Sequence, residues 1–416
     1  MTTTPTGAGG PDAAIDLDRP VGLHALTFLD EGDDVTVGRQ DVDSYCVLPA
    51  DGAALLRWLA EGASPRAAAD AYLQRYGEPV DLAEFLAAMD ELGFLAGPGE
   101  APVTAAPVRW QRLGRALFSP VAWAGYAALL AAAVTAMSRH PDLAPQYRNL
   151  FFTDYITAVI LLLFVGQAPF LLLHESFHML AGRRLGLRSR LGIGRRLYFV
   201  VFETSLDGLV TVPRRRRYLP ILAGLLADLV VIAALTLVAA ALRRPDGSQP
   251  LVGGVCLALA FATVLRFVWQ FYFYLQTDIY HVVTTVFGCV DLQSTARLLL
   301  TDRLNRLLRR DARRVDRTEF HPTDLAVARW YSWLLLVGYA LSLATLVLAG
   351  LPATIHIFSV VLRRFVADDA NATGLTDSVV FLVVNVVQFA ALGAVMARDR
   401  RRRLVPTAHV TNLEAR

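Results

Sequence analysis

The stretch that decides the fold runs from Ala158 to His178 and reads AVILLLFVGQAPFLLLHESFH. Its first part, Ala158–Leu173, is almost wholly apolar and predicts a membrane-spanning helix. The run ends in His174-Glu175-Ser176-Phe177-His178, which puts three ionisable side chains at the edge of the hydrocarbon. A charged residue at mid-bilayer costs about 2.5–3.5 kcal/mol on insertion scales, so such groups are retained for function or through pairing with one another.

The spacing of the two histidines favours a metal site. Residues four apart lie on one face of a helix, so the imidazoles of His174 and His178 can both reach a single zinc ion. Glu175 lies beside them as a candidate general base that activates a water molecule. A chance occurrence of this five-residue pattern is the alternative, and its position at the end of a membrane helix makes that alternative the weaker one.

The composition indicates a membrane protein with a soluble N-terminal part. Of the 416 residues 55% are hydrophobic and the mean hydropathy is +0.42, whereas soluble domains are about 45–50% apolar. The net charge of +3 gives no indication of nucleic acid as a partner. Three separated cysteines without a CxxC pair predict neither a disulfide framework nor a cysteine-ligated metal. No basic-then-apolar signal peptide is present, so we expect the first domain to stay in the cytoplasm.

Shifts in composition divide the chain into five segments. We expect a disordered lead-in over residues 1–18, a small domain over 19–97, a linker over 98–114, a membrane domain over 115–404 and a tail over 405–416. The small domain has three strand patterns followed by three helical patterns, an α+β layout like that of a winged helix. The predicted strands are His24–Leu29, Asp34–Val37 and Tyr45–Leu48, and the predicted helices are Ala53–Leu59, Pro65–Tyr76 and Leu82–Leu92.

The membrane domain is predicted to be polytopic and α-helical, with about six transmembrane helices. The expected spans are Val121–Met137, Ile156 to the HESFH motif, Leu219–Leu242, Leu251–Leu275, Tyr331–Leu351 and Ser378–Ala397. Arginine-rich flanks predict cytoplasmic loops by the positive-inside rule. Both termini and the HESFH motif then lie on the cytoplasmic side.

The arginine-rich segment 183–217 also contains two strand-like stretches. Most of its charge fits a solvated basic loop, but Leu197–Glu203 and Leu209–Val212 flank a turn and predict a small cytoplasmic β-hairpin. We expect an edge of this hairpin, at Phe199 and Val201, to take up an extended peptide.

A catalytic zinc site needs a third protein ligand beside an open position. Asp278 follows the fourth predicted span and lies level with the two histidines in the expected topology, and His281 is three residues further on. A carboxylate with two histidines is a known catalytic set, which favours Asp278. His281 is the alternative third ligand and otherwise lies beside the site or is incidental. Asp228 lies within the third span, where it either orients a zinc-binding imidazole or pairs with an arginine such as Arg266.

The domain over residues 19–97 resembles the PqqD-like family of leader-peptide recognition elements. The resemblance rests on LLRWLAEG at 55–62, AAADAY at 67–72 and FLAAMDELGFL at 85–95. In that family a leader peptide adds as a strand to the small sheet and packs against a helix. The resemblance therefore implies a binding edge at Val35 and Val37, together with the helix that begins after Ser64.

Residues 115–345 resemble the site-2 protease family of intramembrane zinc metalloproteases. The matching residues are the HESFH motif, Ala223-Gly224 and Thr277-Asp278-Ile279-Tyr280, and the last is similar to peptide zinc metalloproteases of peptide-modification clusters. The resemblance implies that His174, His178 and Asp278 bind Zn²⁺ and that Glu175 is the base. Gln270 takes the place of a family asparagine, whereas the family's proline is missing and Ile279 replaces a glycine.

Together the two resemblances imply a zinc-dependent endopeptidase in the bacterial plasma membrane. Its substrate would be a ribosomally made precursor peptide whose leader is held by the N-terminal domain, and membrane lipid would be the other partner. Two alternatives remain open. One is a regulatory intramembrane protease that cleaves a single-span membrane protein, and the other is a non-catalytic membrane adaptor for peptide maturation or export.

Overall fold

The computed structural model describes residues 16–32, 34–39, 42, 44–97, 108–153, 155–196, 199–308, 320–352 and 372–402, with 355, 358–359 and 363 in addition. Two compact units make up this part of the chain. The N-terminal unit comprises residues up to 107 together with 210–213, and the membrane unit comprises 108–209 and 214–407. Most of the predicted lead-in, residues 98–107 of the predicted linker and the predicted tail 405–416 lie outside the described residues.

The N-terminal unit contains the three strands and three helices in the predicted order. The strands β1 (Thr27–Glu31), β2 (Asp34–Arg39) and β3 (Ser44–Pro49) form an antiparallel sheet, and α1 (Ala50–Ala60), α2 (Pro65–Tyr76) and α3 (Leu82–Glu91) follow. Local chemistry sets the helix ends. The Ser64 side chain accepts the backbone N–H of Ala67 ahead of Pro65, and Gly77 ends α2 in the left-handed conformation that glycine favours.

The predicted peptide-binding edge at Val35 and Val37 is wrong. Both residues lie in β2, which is the central strand because it pairs with β1 on one side and β3 on the other. Their side chains are 3% and 0% exposed and pack into the core with Cys46 and Leu56. A central strand has no free backbone groups to offer a peptide, so an added strand would have to pair with β1 or β3.

The membrane unit is a polytopic helical assembly. Its helices are α4 (Gln111–Leu117), α5 (Pro120–Arg139), α6 (Ile156–Arg184), α7 (Arg214–Leu242), α8 (Leu251–Trp269), α9 (Asp278–Phe287), α10 (Leu292–Leu307), α11 (Pro322–Thr345) and α12 (Ala372–Arg402). Among the described residues, five helices are long and apolar enough to cross a membrane: α5, α6, α7, α8 and α11. In α12 the apolar part is the shorter segment Ser378–Ala391, so five of the six predicted spans meet this criterion.

Two predicted spans have different bounds in the structure. The fourth predicted span corresponds to α8, which ends at Trp269 instead of Leu275. The chain then forms a 3-10 turn before α9 begins at Asp278. The fifth predicted span corresponds to α11, which begins at Pro322 instead of Tyr331, because proline is well accommodated in the first turn of a helix. Asp278 therefore lies at the start of a short separate helix, not at the end of a span.

A two-stranded hairpin follows α6, but it begins earlier than predicted. The strands β4 (Arg188–Arg196) and β5 (Phe199–Asp207) pair antiparallel, with Leu191 opposite Thr204. The arginine-rich stretch in β4 is thus a strand, and its interpretation as a solvated loop is wrong there. The predicted second strand, Leu209–Val212, is also wrong, because Leu209–Thr211 forms a 3-10 turn after the hairpin.

Candidate metal centre

Close packing of α6 on α7 sets the position of the HESFH motif. Phe177 and Ala181 of α6 are buried against Ala223 and Ala227 of α7. Alanine side chains are short, so the two helix backbones approach each other closely at this point. The packing brings the His174 and His178 face of α6 against the backbone of α7.

Three side-chain atoms converge at this contact. His174 Nε2 and His178 Nε2 are 3.1 Å apart, and Asp278 Oδ2 lies 3.3 Å from the first and 3.2 Å from the second. In a tetrahedral zinc site with bonds of about 2.0–2.1 Å, two ligand atoms lie about 3.3 Å apart. The triangle therefore has the edge length expected for three ligand atoms of one tetrahedral zinc ion.

Gly224 leaves the space in which these atoms meet. A methyl group at this position would lie 2.2 Å from His178 Nε2 and 2.4 Å from His174 Nε2. These values are close to zinc–nitrogen bond lengths of about 2.0–2.1 Å, so a side chain here would compete with an ion for the same volume. Glycine is thus required by the close approach of α7 to the two imidazoles.

The outer nitrogen of each imidazole faces an acceptor. His178 Nδ1 donates to the backbone carbonyl of Pro220 at 2.7 Å, and His174 Nδ1 lies 3.2 Å from Asp228 Oδ2. The Pro220 carbonyl can only accept, so the neutral His178 ring carries its N–H at Nδ1 and directs the lone pair of Nε2 inwards. This is the tautomer in which histidine binds a metal through Nε2.

Asp228 lies against both of the partners that the sequence left open, an imidazole and Arg266. One carboxylate oxygen faces His174, and the other accepts from Arg266 Nη2 at 2.5 Å and from Nε at 3.2 Å. The carboxylate is fully buried. The contact with His174 and the ion pair with Arg266 use different oxygens of this carboxylate, so both can form at once.

The loop between α8 and α9 aims Asp278 at the histidines. Gln276 adopts a left-handed backbone with φ of 59°, an uncommon conformation for a residue other than glycine. The Gln270 side chain accepts the backbone N–H of Asp278 at 3.2 Å, and Thr277 Oγ1 donates to the Gln270 carbonyl at 2.5 Å. Burial opposes ionisation of Asp278, but a proton on His178 or His174 attracts the carboxylate and holds the pKa of its carboxyl well below the usual value.

Glu175 is held by the hairpin. Thr204 Oγ1 of β5 lies 2.7 Å from Glu175 Oε2 and donates to it, and it is also 3.1 Å from the Glu175 backbone carbonyl. Glu175, Thr204, His178 and Asp278 line one cavity of about 280 Å³, which His281 also borders. The candidate base and two of the three candidate ligands, His178 and Asp278, therefore open into the same space.

The structure separates the remaining predicted site residues from the cluster. His281 borders the cavity, but it is exposed and is not among the three converging ligands. Val201 lies in β5 three residues before Thr204, and side chains alternate along a strand, so it projects from the opposite face. The backbone of Phe199 begins β5, and its side chain lies outside the described residues.

Comparison with known proteins does not identify the cluster, so its chemistry is inferred from its geometry. No family model, no curated protein and no solved structure matches the chain.

Sequence reasoning missed the roles of Thr204 and Gly224. The Ala223-Gly224 pair carries a signal for Gly224, because small residues in a membrane helix indicate close helix contact. Thr204 carries no sequence signal of its own, because its role depends on the register of a hairpin that is distant from Glu175 in the chain.

Gly224→Ala is predicted to abolish zinc binding by the purified protein, because the added methyl group occupies the space between the two Nε2 atoms. Zinc content measured by elemental analysis should fall from one ion per chain to near zero. Gly125→Ala is the matched control, since a methyl group at that helical glycine meets nothing within 4 Å. Equal zinc content in Gly224→Ala and the wild type would contradict this account of the site.

Proposed function

We propose that the protein is a zinc-dependent intramembrane endopeptidase. The observation that carries this proposal is the triangle of His174 Nε2, His178 Nε2 and Asp278 Oδ2, with edges of 3.1–3.3 Å. His178 and Asp278 line a cavity together with Glu175. Two imidazoles and one carboxylate with an open fourth position are a donor set typical of catalytic zinc. The motif lies in α6, which is long and apolar enough to span a membrane, and cleavage is therefore proposed to take place within the membrane.

Each side chain of the cluster has a defined part in peptide hydrolysis. His174, His178 and Asp278 would hold the ion, which supplies Lewis-acid chemistry toward a carbonyl and a water molecule. Glu175 takes the proton from the attacking water and passes it to the departing amine. Thr204 directs one oxygen of Glu175 and thereby fixes the direction in which the other oxygen faces.

The proposed substrate is a ribosomally made precursor peptide. The cavity is bordered by β5, whose backbone offers an edge for an extended chain, and by the apolar side chains of Leu206 and Ile221. The N-terminal unit would hold the leader through the outer edge of β1 or β3. Holding the leader raises the effective concentration of the cleavage site at the metal centre.

Glu175→Gln is predicted to lower cleavage of the cognate precursor by about 10²–10⁴-fold, because the amide cannot accept the proton of the attacking water. Zinc content should stay at one ion per chain, since Glu175 is not one of the converging ligands. Glu61→Gln, at the exposed residue that follows α1, serves as the control. Wild-type cleavage by Glu175→Gln would refute the proposed mechanism.

Deletion of residues 1–100 separates the leading proposal from a regulatory intramembrane protease. If the N-terminal unit holds a leader, the truncated protein should lose most of its activity on the precursor and retain its zinc. A truncated protein that cleaves a single-span membrane helix as well as the full chain does would favour the regulatory protease. The measurement is the rate of product formation by mass spectrometry for both substrates.

Thr204→Val is predicted to lower kcat about tenfold with little change in KM, because it removes the donor to Glu175 Oε2 while keeping the shape of the side chain. Thr204→Ser retains the hydroxyl and should recover most of the rate. Equal rates in Thr204→Val and Thr204→Ser would contradict the role of the hydroxyl.

The number of crossings decides where the C-terminus lies. We propose that α12 crosses the membrane as a sixth span, which places both termini and the metal centre toward the cytoplasm in agreement with the arginine-rich segments. A reporter fused after Arg402 should then be on the same side as one fused at the N-terminus. Reporters on opposite sides would mean five crossings and would contradict this topology.

A further inference from the structure

A continuous line of polar contacts leads away from His174 into the apolar part of the bundle. Asp228 Oδ2 faces His174 Nδ1 at 3.2 Å, and Asp228 Oδ1 accepts from Arg266 Nη2 at 2.5 Å. Arg266 Nη1 donates to Gln167 Oε1 at 2.9 Å, and Gln167 Nε2 donates to the Leu259 carbonyl at 2.9 Å. The line joins α6, α7 and α8, and neither Arg266 nor Gln167 belongs to the converging ligand set.

A buried carboxylate has a preferred direction only if its partners impose one. Asp228 is fully buried, and the Arg266 side chain is 15% exposed. Arg266 contacts a single oxygen of Asp228 through two nitrogens, so the second oxygen remains available for His174. Gln167 engages the remaining side of the guanidinium group and fixes its plane. Together these contacts leave Asp228 Oδ2 directed at the imidazole.

The geometry points to Arg266, held by Gln167, as a positioning residue that aims Asp228 at His174 and thereby strengthens metal binding at the candidate centre. This inference rests on the proposed function, because it takes the centre to bind zinc. Partners of metal-bound histidines typically contribute about 10–100-fold to metal affinity. Arg266 acts one contact further out, so we expect its contribution at the lower end of that range.

Two other roles for Arg266 give different results. If it only ties helices together, its loss lowers stability without a specific effect on zinc. If it acts only as a nearby positive charge, its loss should tighten binding of a dication, because a repulsive interaction disappears. The positioning role predicts the opposite sign, a loss of affinity that depends on the presence of the Asp228 carboxylate.

The chain provides a matched control ion pair. Arg243 follows α7 and donates through Nε to Asp142 Oδ2 at 2.8 Å and through Nη2 to Asp142 Oδ1 at 3.3 Å. This pair also joins an arginine and an aspartate from separate parts of the membrane unit, but neither residue contacts the histidines. Arg243→Met therefore measures what the loss of such a pair does by itself.

The experiment is a double-mutant cycle on the full chain in detergent or nanodiscs, with zinc affinity measured by competition against a chromophoric chelator. Arg266→Met should weaken zinc binding about tenfold in the wild-type background and less than twofold in an Asp228→Asn background. Arg243→Met should stay within twofold of the wild type. The visible absorption band of the cobalt-loaded protein should shift in Arg266→Met and not in Arg243→Met, because only the former reorients His174.

Unchanged or tighter zinc binding in Arg266→Met, or an equal loss in both backgrounds, would overturn the inference. If Arg266→Met does not fold, Gln167→Leu provides the test, because it leaves both charges in place. We expect Gln167→Leu to bind zinc about threefold more weakly, and wild-type affinity would overturn the inference equally. A wild-type protein without one zinc per chain would instead refute the proposed function itself.

Discussion

The constraint on which the membrane unit depends is the meeting of three electron-rich atoms in an apolar interior. Two imidazole nitrogens with inward lone pairs and one carboxylate oxygen lie within 3.3 Å of each other. Neutral imidazoles and a carboxylate at these distances repel one another, so burial of the cluster is favourable only with protons or a divalent ion between them. The neighbouring acceptors at Pro220 and Asp228 hold both rings in the orientation that an ion requires.

The neighbouring helices and the hairpin hold these three atoms and Glu175 in position. Helix α7 approaches α6 through small residues, and Gly224 leaves space beside the two imidazole nitrogens. A break after α8 lets α9 begin at Asp278, where a left-handed residue and the Gln270 side chain direct the carboxylate. The hairpin then adds Thr204 beside Glu175, so the candidate base is fixed by a strand while the ligands are fixed by helices. The positions of the candidate ligands and base therefore depend on three features: the packing of α7 on α6, the start of α9 and the hairpin beside Glu175.

Local sequence signals predicted the parts of the structure that local chemistry sets. The caps at Ser64 and Asp81, the apolar runs and the four-residue spacing of the histidines all act over a few residues, and the helices occur where they indicate. Long-range features were harder to predict. The arginine-rich sequence of β4 did not predict a strand, because polar and apolar residues need not alternate in a strand that lies outside the core. Val35 and Val37 were assigned to an edge because sequence does not reveal strand order within a sheet.

We propose above all that His174, His178 and Asp278 together bind one zinc ion. X-ray absorption at the zinc edge of the purified wild-type protein measures the ligand set most directly, because it gives the identity and distance of the first neighbours. The account predicts two imidazole nitrogens and oxygen ligands at about 2.0–2.2 Å, with no sulfur at about 2.3 Å. In Asp278→Ala one oxygen neighbour should be lost or replaced by water while both imidazoles remain. A wild-type spectrum with a single imidazole, with sulfur, or with no bound zinc would contradict it.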